Sequence, residues 1–351
     1  MIPRHTDTVP ADAKWTFATR RVPRDAVTGL APDVAAAQAG DLVLAHVAEI
    51  GQHRRVQLPS GRPSEIYPGD AIVLACGARY APDQFEGLAE IDPAGADLLA
   101  GGGCIGRMVS RNERVRPATR LIPAARLLGA DGGALNLRDF ALPARPDAGT
   151  LPVIAVLGTA MNSGKTLATA QTALGLRRAG WRVAALKGTG TGAFGDYNEY
   201  SDTGAHVVAD FTDAGMVTTY REPLDRVRAG IESLLGHAAA QGCDIAVIEI
   251  ADGLFQRETA QIIADPWFRG RISGLVFACG DAVAAAGGVA ELARHGLRPD
   301  AITGMVSCSP MASAEAETAT GIPVLRKSDL ADPAEANAMA LRAGARWPRA
   351  A

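Results

Sequence analysis

The chain has 351 residues, 48% of them apolar and 21% charged, and its formal net charge is −3. That length suits two ordinary domains better than one, and the mix is that of a folded globular protein. No global basic field is available to hold nucleic acid, and no uninterrupted apolar run approaches the length of a membrane span.

The opening stretch "MIPRHTDTVPADAKW" has no apolar core of the kind a secretory leader needs, so the expected setting is the cytoplasm. Residues 1–145 read as a small β-rich domain. "GDLVLAHVAEIG" (40–51) and "GDAIVLACGARY" (69–80) each open with a Gly-Asp turn and continue as an apolar run of strand length. Between them, two short alternating segments flank "PSGR", a hairpin signal. Further short strands are expected at 103–110 and 120–128, and such spacing suggests a small barrel or curled sheet. "GARYAPDQFEG" (77–87) is a dense polar-aromatic loop with no chemistry of its own to assign. "LPARPDAGTLP" (142–152) reads as a linker. The cysteines, at 76, 104, 243, 279 and 308, form no C-x-x-C pair and mostly end apolar runs, so they read as reduced, buried thiols.

From residue 146 onward a second domain is expected, and its rhythm differs. Buried-type strands are predicted at 153–158, 182–187, 244–250, 274–280, 302–308 and 322–325. Helices are predicted at 165–180, 223–242 and 281–296, each stopping at a glycine. Strands alternating with helices give right-handed crossovers and a doubly wound, mostly parallel sheet, so the fold class is α/β with a smaller β-rich, barrel-like partner.

The chemistry concentrates at "VIAVLGTAMNSGKT" (153–166). An apolar strand ends at Gly158 and a helix begins near Lys165, the context in which backbone N–H groups and the helix dipole hold phosphate oxygens. Gly158, Thr159, Asn162, Ser163, Gly164, Lys165, Thr166 and Leu167 are the expected nucleotide-binding residues. Lys165 would reach the β- and γ-phosphates, and the Thr166 hydroxyl would sit on Mg²⁺. Five residues separate the glycines, one more than in the common P-loop. Lys187 leaves a strand at the ligand-binding rim, where a second ammonium would neutralise a transferred phosphoryl group. Glu249 ends an apolar strand, where a carboxylate is costly unless paired or bound to a cation. Thr189, Thr191, Asp196 and Arg257 are candidate substrate contacts. "FGDYNEYSD" (194–202) reads as a substrate or switch loop.

The loop G-T-x-x-x-x-G-K-T, with five residues between its glycines, resembles that of dethiobiotin synthetase and its relatives, in the P-loop branch shared with MinD-like ATPases. The resemblance covers about 153–325 through "GTAMNSGKT", "ALKGTGTG", "EYSDTGA" and "DIAVIEIADG". It implies that Lys187 serves the phosphate in transfer and that Thr166, Asp202 and Glu249 surround Mg²⁺. Three departures stand out: the N-terminal β-rich domain, Asp252 within "EIADG", and Ser307 and Cys308 where the family commonly has an Asn. A second stretch, "GTGTGAFGDYNEYSDTGAHVVADFTDAG", resembles a two-domain P-loop family that includes D-glutamate N-acetyltransferases, which implies coenzyme A as an alternative occupant.

The resulting expectation is an enzyme with catalytic Lys165 and Lys187, using ATP and Mg²⁺ to phosphorylate and so activate a small carboxylic or amino acid. The alternatives are an N-acetyltransferase using acetyl-CoA on an amino acid, and an ATPase switch acting on a protein partner. The expected partners are a small-molecule acid and further copies of the same chain in a homo-oligomer, with neither nucleic acid nor membrane.

Overall fold

A computed structural model describes residues 8–143 and 151–346. Most of the linker predicted at 142–152, and the first residues of the opening stretch, lie outside the described residues. The chain divides into two compact units. One takes Met1–Leu142, Gly190–Phe194 and Phe211–Arg221; the other takes Pro143–Thr189, Gly195–Asp210 and Glu222–Ala351.

The first unit is built on a β-sheet that closes on itself. Strand β3 (Leu42–Glu49) pairs antiparallel with β6 (Ala71–Cys76) and with β11 (Thr119–Leu128). β11 pairs with β9 (Ala96–Ala100), β9 with β10 (Cys104–Arg111), and β10 returns in parallel to β6, completing a ring. Closure removes the open edges that a small sheet would otherwise leave for aggregation. Alternate residues feed two apolar clusters, one holding Val43, Ile72, Leu74 and Leu98, the other Leu44, Val73, Leu99 and Leu127. β11 tolerates Pro123 because its register with β3 shifts between Pro123 and Ala125, a place where a ladder N–H is dispensable.

Outside the ring, β1 (Lys14–Trp15) joins β6, β2 (Gly29–Ala31) joins β11, and β4 (Arg55–Gln57) pairs with β5 (Pro63–Glu65) as the hairpin around "PSGR". The segment predicted as a loop at 77–87 instead forms a second hairpin, β7 (Arg79–Tyr80) with β8 (Phe85–Leu88), and β8 continues onto β10. Its aromatic and apolar residues alternate well enough for strands, but each run is too short for the pattern to declare itself.

The two later segments of this unit are pinned from several sides. Gly192 N–H donates to the Val217 carbonyl (2.8 Å), Thr219 N–H to the Gly190 carbonyl (2.9 Å), and Phe194 N–H to Gln57 Oε1 (2.7 Å). Arg20 forms an ion pair with Asp213 at 2.5 Å, and Val217 joins the cluster around Trp15 and Leu42.

In the second unit, six parallel strands lie in the order β14 (Val207–Asp210), β13 (Val183–Lys187), β15 (Ile245–Glu249), β12 (Val153–Gly158), β16 (Gly274–Ala278), β17 (Ala301–Thr303). From β12 the chain winds first to one side and then to the other. Right-handed crossovers then place helices on both faces and open a crevice beyond the carboxyl end of β12. The main helices are α1 (Lys165–Arg178), α2 (Phe194–Asp202), α3 (Leu224–Ala240), α4 (Arg257–Ala264), α5 (Pro266–Arg271), α6 (Ala282–Arg294), α7 (Pro310–Thr320), α8 (Lys327–Leu330) and α9 (Pro333–Arg342). Trp181, Leu176 and Ala173 pack with Met339 and Ala340 of α9 in the core.

Two predicted strands are corrected. The run at 302–308 stops at Thr303, because Gly304 turns the chain with φ 92° and Met305–Cys308 coils tightly. At 322–325 a single parallel bridge, Val324 to Ile302, replaces a strand. The segment 194–202, read as a loop, is α2: its Gly195 and Asn198 masked a helical spacing of Asp196, Glu199 and Tyr200. All five cysteines are unbridged, and Cys308 alone among them is exposed.

Candidate functional site

The carboxyl ends of β12, β13 and β15 bring the charged groups together. Sheet register sets Lys187 beside Glu249, and Glu249 beside Val156, two residues before Gly158. These are strand-end positions, so the apolar runs bury the backbone while the last side chains reach the rim.

The loop then folds over this rim. Thr159 N–H donates to the Ala278 carbonyl (3.0 Å), fixing the exit from β12. A Cβ on Gly158 would lie 2.3 Å from Ser163 Oγ, so this turn admits no larger residue. Asn162 adopts the left-handed conformation (φ 63°) and is exposed, while Ser163 is buried and its hydroxyl has no hydrogen-bond partner. Gly164, at φ 102°, begins α1 without a side-chain cap, which leaves the first-turn N–H groups to an external acceptor.

Lys165 opens α1, and its ammonium donates to the Ala160 carbonyl at 2.8 Å. Thr166 donates its hydroxyl to Asp196 Oδ1 at 3.0 Å. Asp196 also forms an ion pair with Lys187, whose ammonium stands 3.5 Å from Glu249 Oε1. Glu249 is 2% exposed and accepts the phenolic hydrogen of Tyr200, one turn along α2 from Asp196. The Ala251 carbonyl accepts from both Thr189 Oγ1 (2.7 Å) and Thr259 Oγ1 (2.6 Å), which holds the turn carrying Asp252. Lys165, Thr166, Lys187, Asp196, Glu199, Glu249 and Asp252 line one cleft of about 400 Å³.

The electrostatics follow from burial and neighbours. Burial lowers the Lys165 pKa, opposed by Glu249 and Asp252. Burial works against the Lys187 charge too, but Glu249 and Asp196 outweigh it and hold the ammonium above its usual range. Asp196 is pushed up by burial and pulled further down by Lys187, ending low. Burial raises Asp252 to about 6, despite Lys165 and Lys187. Burial, then Asp196 and Glu249, raise Glu199, and the Tyr200 phenol stays protonated well above its ordinary value.

Of the residues singled out in the sequence, Asn162, Gly164, Lys165, Thr166, Leu167, Lys187, Asp196 and Glu249 line the cleft. Gly158, Thr159 and Ser163 shape the loop behind it, and Thr189 supports the 251–252 turn. Asp202 is exposed at the far end of α2, and the carboxylate that meets Thr166 is Asp196. Thr191 belongs to the barrel unit, where it bridges to Thr218, and Arg257 is exposed at the start of α4. Sequence reasoning assigned no role to Asp252 or Tyr200. The signal for Tyr200 was its helical spacing from Asp196.

A strand, a glycine-bounded loop with Lys165 and Thr166, and an uncapped helix at the carboxyl rim of a parallel sheet make this a P-loop NTPase-like fold. No protein-family pattern matches the chain, and no curated protein matches its sequence. Among solved structures, it is similar to the signal recognition particle 54 kDa protein from Aeropyrum pernix K1 in complex with GDP, at 18% identity and a TM-score of 0.37, over 59% of this chain and 49% of that one. It is also similar to the signal recognition particle receptor FtsY from Elizabethkingia anophelis, at 15% identity and a TM-score of 0.34, over 54% and 67% of the two chains. The chain therefore spans about half the length of the first.

Proposed function

We propose that the chain is an enzyme of dethiobiotin-synthetase type, which moves the γ-phosphoryl group of ATP onto a small carboxylic or amino acid and so activates it. The observation that carries this reading is the meeting of two lysines and two carboxylates in one cleft: Lys165 at the loop, and Lys187 held between Asp196 and Glu249. Phosphoryl transfer asks a protein mainly for positioning and charge neutralisation, and this cluster supplies both.

The uncapped first turn of α1 would hold phosphate oxygens, with Lys165 leaving the Ala160 carbonyl for the nucleotide. Lys187 is fixed by its two carboxylates at a place where it would face the group in transfer. The donor set fits a hard cation: Thr166 hydroxyl with Asp196 and Glu249, all oxygen. No group of three His, Cys, Asp or Glu suited to a metal occurs among the described residues. Mg²⁺ takes one or two carboxylates and completes its shell with water and phosphate oxygens. When bound, Mg²⁺ would neutralise charge on the β- and γ-phosphates. Asp252, raised to about 6, gives the cleft a carboxylate able to accept a proton near neutral pH.

The test is ADP release from ATP and Mg²⁺, measured across a panel of small carboxylic and amino acids. Stimulation by one acid, with a phosphorylated or condensed product, supports the reading. Thiol release from acetyl-CoA without any need for ATP would overturn it in favour of acyl transfer. Stimulation by protein partners and by no acid would make the chain a nucleotide switch.

A further inference from the structure

The barrel unit has a cavity of its own. It measures about 400 Å³, and Tyr80, Gln84, Glu86, Arg111, Asn112 and Tyr220 are among its lining residues. All of them belong to that unit, and no step of phosphoryl transfer uses them.

Its walls are held in place. The Ala81 N–H donates to the Phe85 carbonyl (2.9 Å) and Gln84 N–H to the Ala81 carbonyl (2.8 Å), closing the β7–β8 turn. Asn112 anchors that turn to the end of β10 through its N–H to Gln84 (2.8 Å) and its side-chain amide to Pro82 (3.0 Å). The β8–β10 register shifts between Met108 and Ser110, and Ser110 comes to stand opposite Glu86. Bulges of this kind re-aim side chains and are frequent beside binding sites.

The chemistry gathers on Glu86. Its carboxylate accepts from Tyr220 OH at 3.1 Å and from Ser110 Oγ at 3.3 Å, and Arg221 stands 3.7 Å away. The Tyr80 and Tyr220 rings lie 5.6 Å apart at 48°, and the Arg221 guanidinium covers the Tyr220 ring at 5.5 Å. Arg221 holds φ 65°, a left-handed conformation that a non-glycine residue keeps only where its surroundings impose it. The cavity thus offers a carboxylate, aromatic rings and a cation, Arg111, which spends one donor on the Val115 carbonyl. A guanidinium has five N–H donors and is suited to a carboxylate.

From this arrangement we infer that the barrel unit carries a second small-molecule site, and that it takes a zwitterionic amino acid. Glu86 receives the ammonium, Arg111 the carboxylate, and the tyrosines the side chain. The volume falls in the range of natural ligand pockets and exceeds the needs of one amino acid, so a side chain of several atoms is accommodated. The inference does not depend on phosphoryl transfer, because no nucleotide takes part in this recognition.

The experiment is calorimetry on the full chain without nucleotide, against a panel of free L- and D-amino acids at millimolar concentration. At least one should bind. Glu86→Gln and Tyr220→Phe should each weaken it about tenfold or more, the loss expected for a hydrogen bond to a charged group. Arg111→Gln, at an exposed position, should weaken the amino acid but leave the matching amine that lacks a carboxylate unaffected. Circular dichroism of each variant establishes that it is folded. If no amino acid binds, the inference fails. It also fails if binding survives all three changes and is lost in Lys187→Met, which would move the ligand to the P-loop cleft.

Discussion

In the P-loop cleft, Lys187 is 13% exposed and faces two carboxylates, one of them on Glu249 at 2%. In the barrel cavity, Glu86 is 38% exposed and faces two hydroxyls and an arginine that is 49% exposed. The inventories are similar, but the solvent is not. Water screens the barrel set, so each of its contacts contributes little to folding and can be exchanged for a ligand's. The cleft set is largely desolvated, so each charge depends on its neighbours, and one change propagates through all of them. The difference separates a site whose groups are fixed before the ligand arrives from one whose groups can be redirected by it.

The largest effect falls at the loop. Lys165→Ala should abolish nucleotide binding or turnover while the chain still folds, since its ammonium donates to a loop carbonyl and makes no ion pair with the strand-end carboxylates. Unchanged ATP affinity by calorimetry would place the nucleotide elsewhere.

Lys187→Met should lower kcat by about 10²-fold or more, with a much smaller loss of ATP affinity, as for other preorganised electrostatic groups. It should also destabilise the fold by about 3–5 kcal/mol, because Asp196 and Glu249 lose a shared partner. Lys187 holds the Asp196 carboxyl below its usual range, and protonating Asp196 removes part of the uncompensated charge, so the deficit should shrink as the pH falls. Denaturant unfolding at neutral and acid pH measures it, and a pH-independent deficit would assign the loss to packing.

Asp252 gives a smaller effect of opposite sign. Its folded-state value of about 6 exceeds the ~3.9 of an unfolded chain, so the native state binds the proton more tightly. That contribution favours folding at acid pH and is lost as the pH rises from about 4 to about 6. At pH 7 the charged carboxylate is a cost, so Asp252→Asn should stabilise the protein by about 2–3 kcal/mol there and by nothing near pH 3. An equal gain at both pH values would rule out ionisation as the cause.

Glu86→Gln gives the smallest effect, about 0–1 kcal/mol in unfolding, because its partners are solvated. A loss of several kcal/mol in thermal or denaturant unfolding would mean that the barrel cavity is as interdependent as the cleft.

The legible parts of the molecule were those that repeat a period over a sufficient length. Long apolar runs such as "VIAVLG" and "DIAVIEI" announce β12 and β15, and the stripe after Lys165 announces α1. Loop chemistry made Lys165 and Thr166 visible, and an acid ending an apolar run did the same for Glu249. Asp196 was visible as an acidic residue, but its role against Thr166 and Lys187 depended on α2 being a helix, which Gly195 obscured. Asp252 looked like a departure from a familiar pattern, and its significance rests on the cleft it lines. The ring of the barrel unit was out of reach in detail, because pairing β10 with both β6 and β9 is a long-range choice that no local run encodes.

The chain passes between its two units repeatedly, leaving the α/β unit at Gly190 and Phe211 and returning at Gly195 and Glu222. Both excursions interrupt the path that carries Lys187, Asp196 and the start of α3. A gene fragment beginning after the 142–152 stretch would therefore encode an α/β unit with two orphaned strips, including Val217, whose apolar neighbours Trp15 and Leu42 remain in the discarded piece. Recombination faces the same restriction as the cloner: moving this P-loop unit onto another partner requires replacing three separate stretches at once.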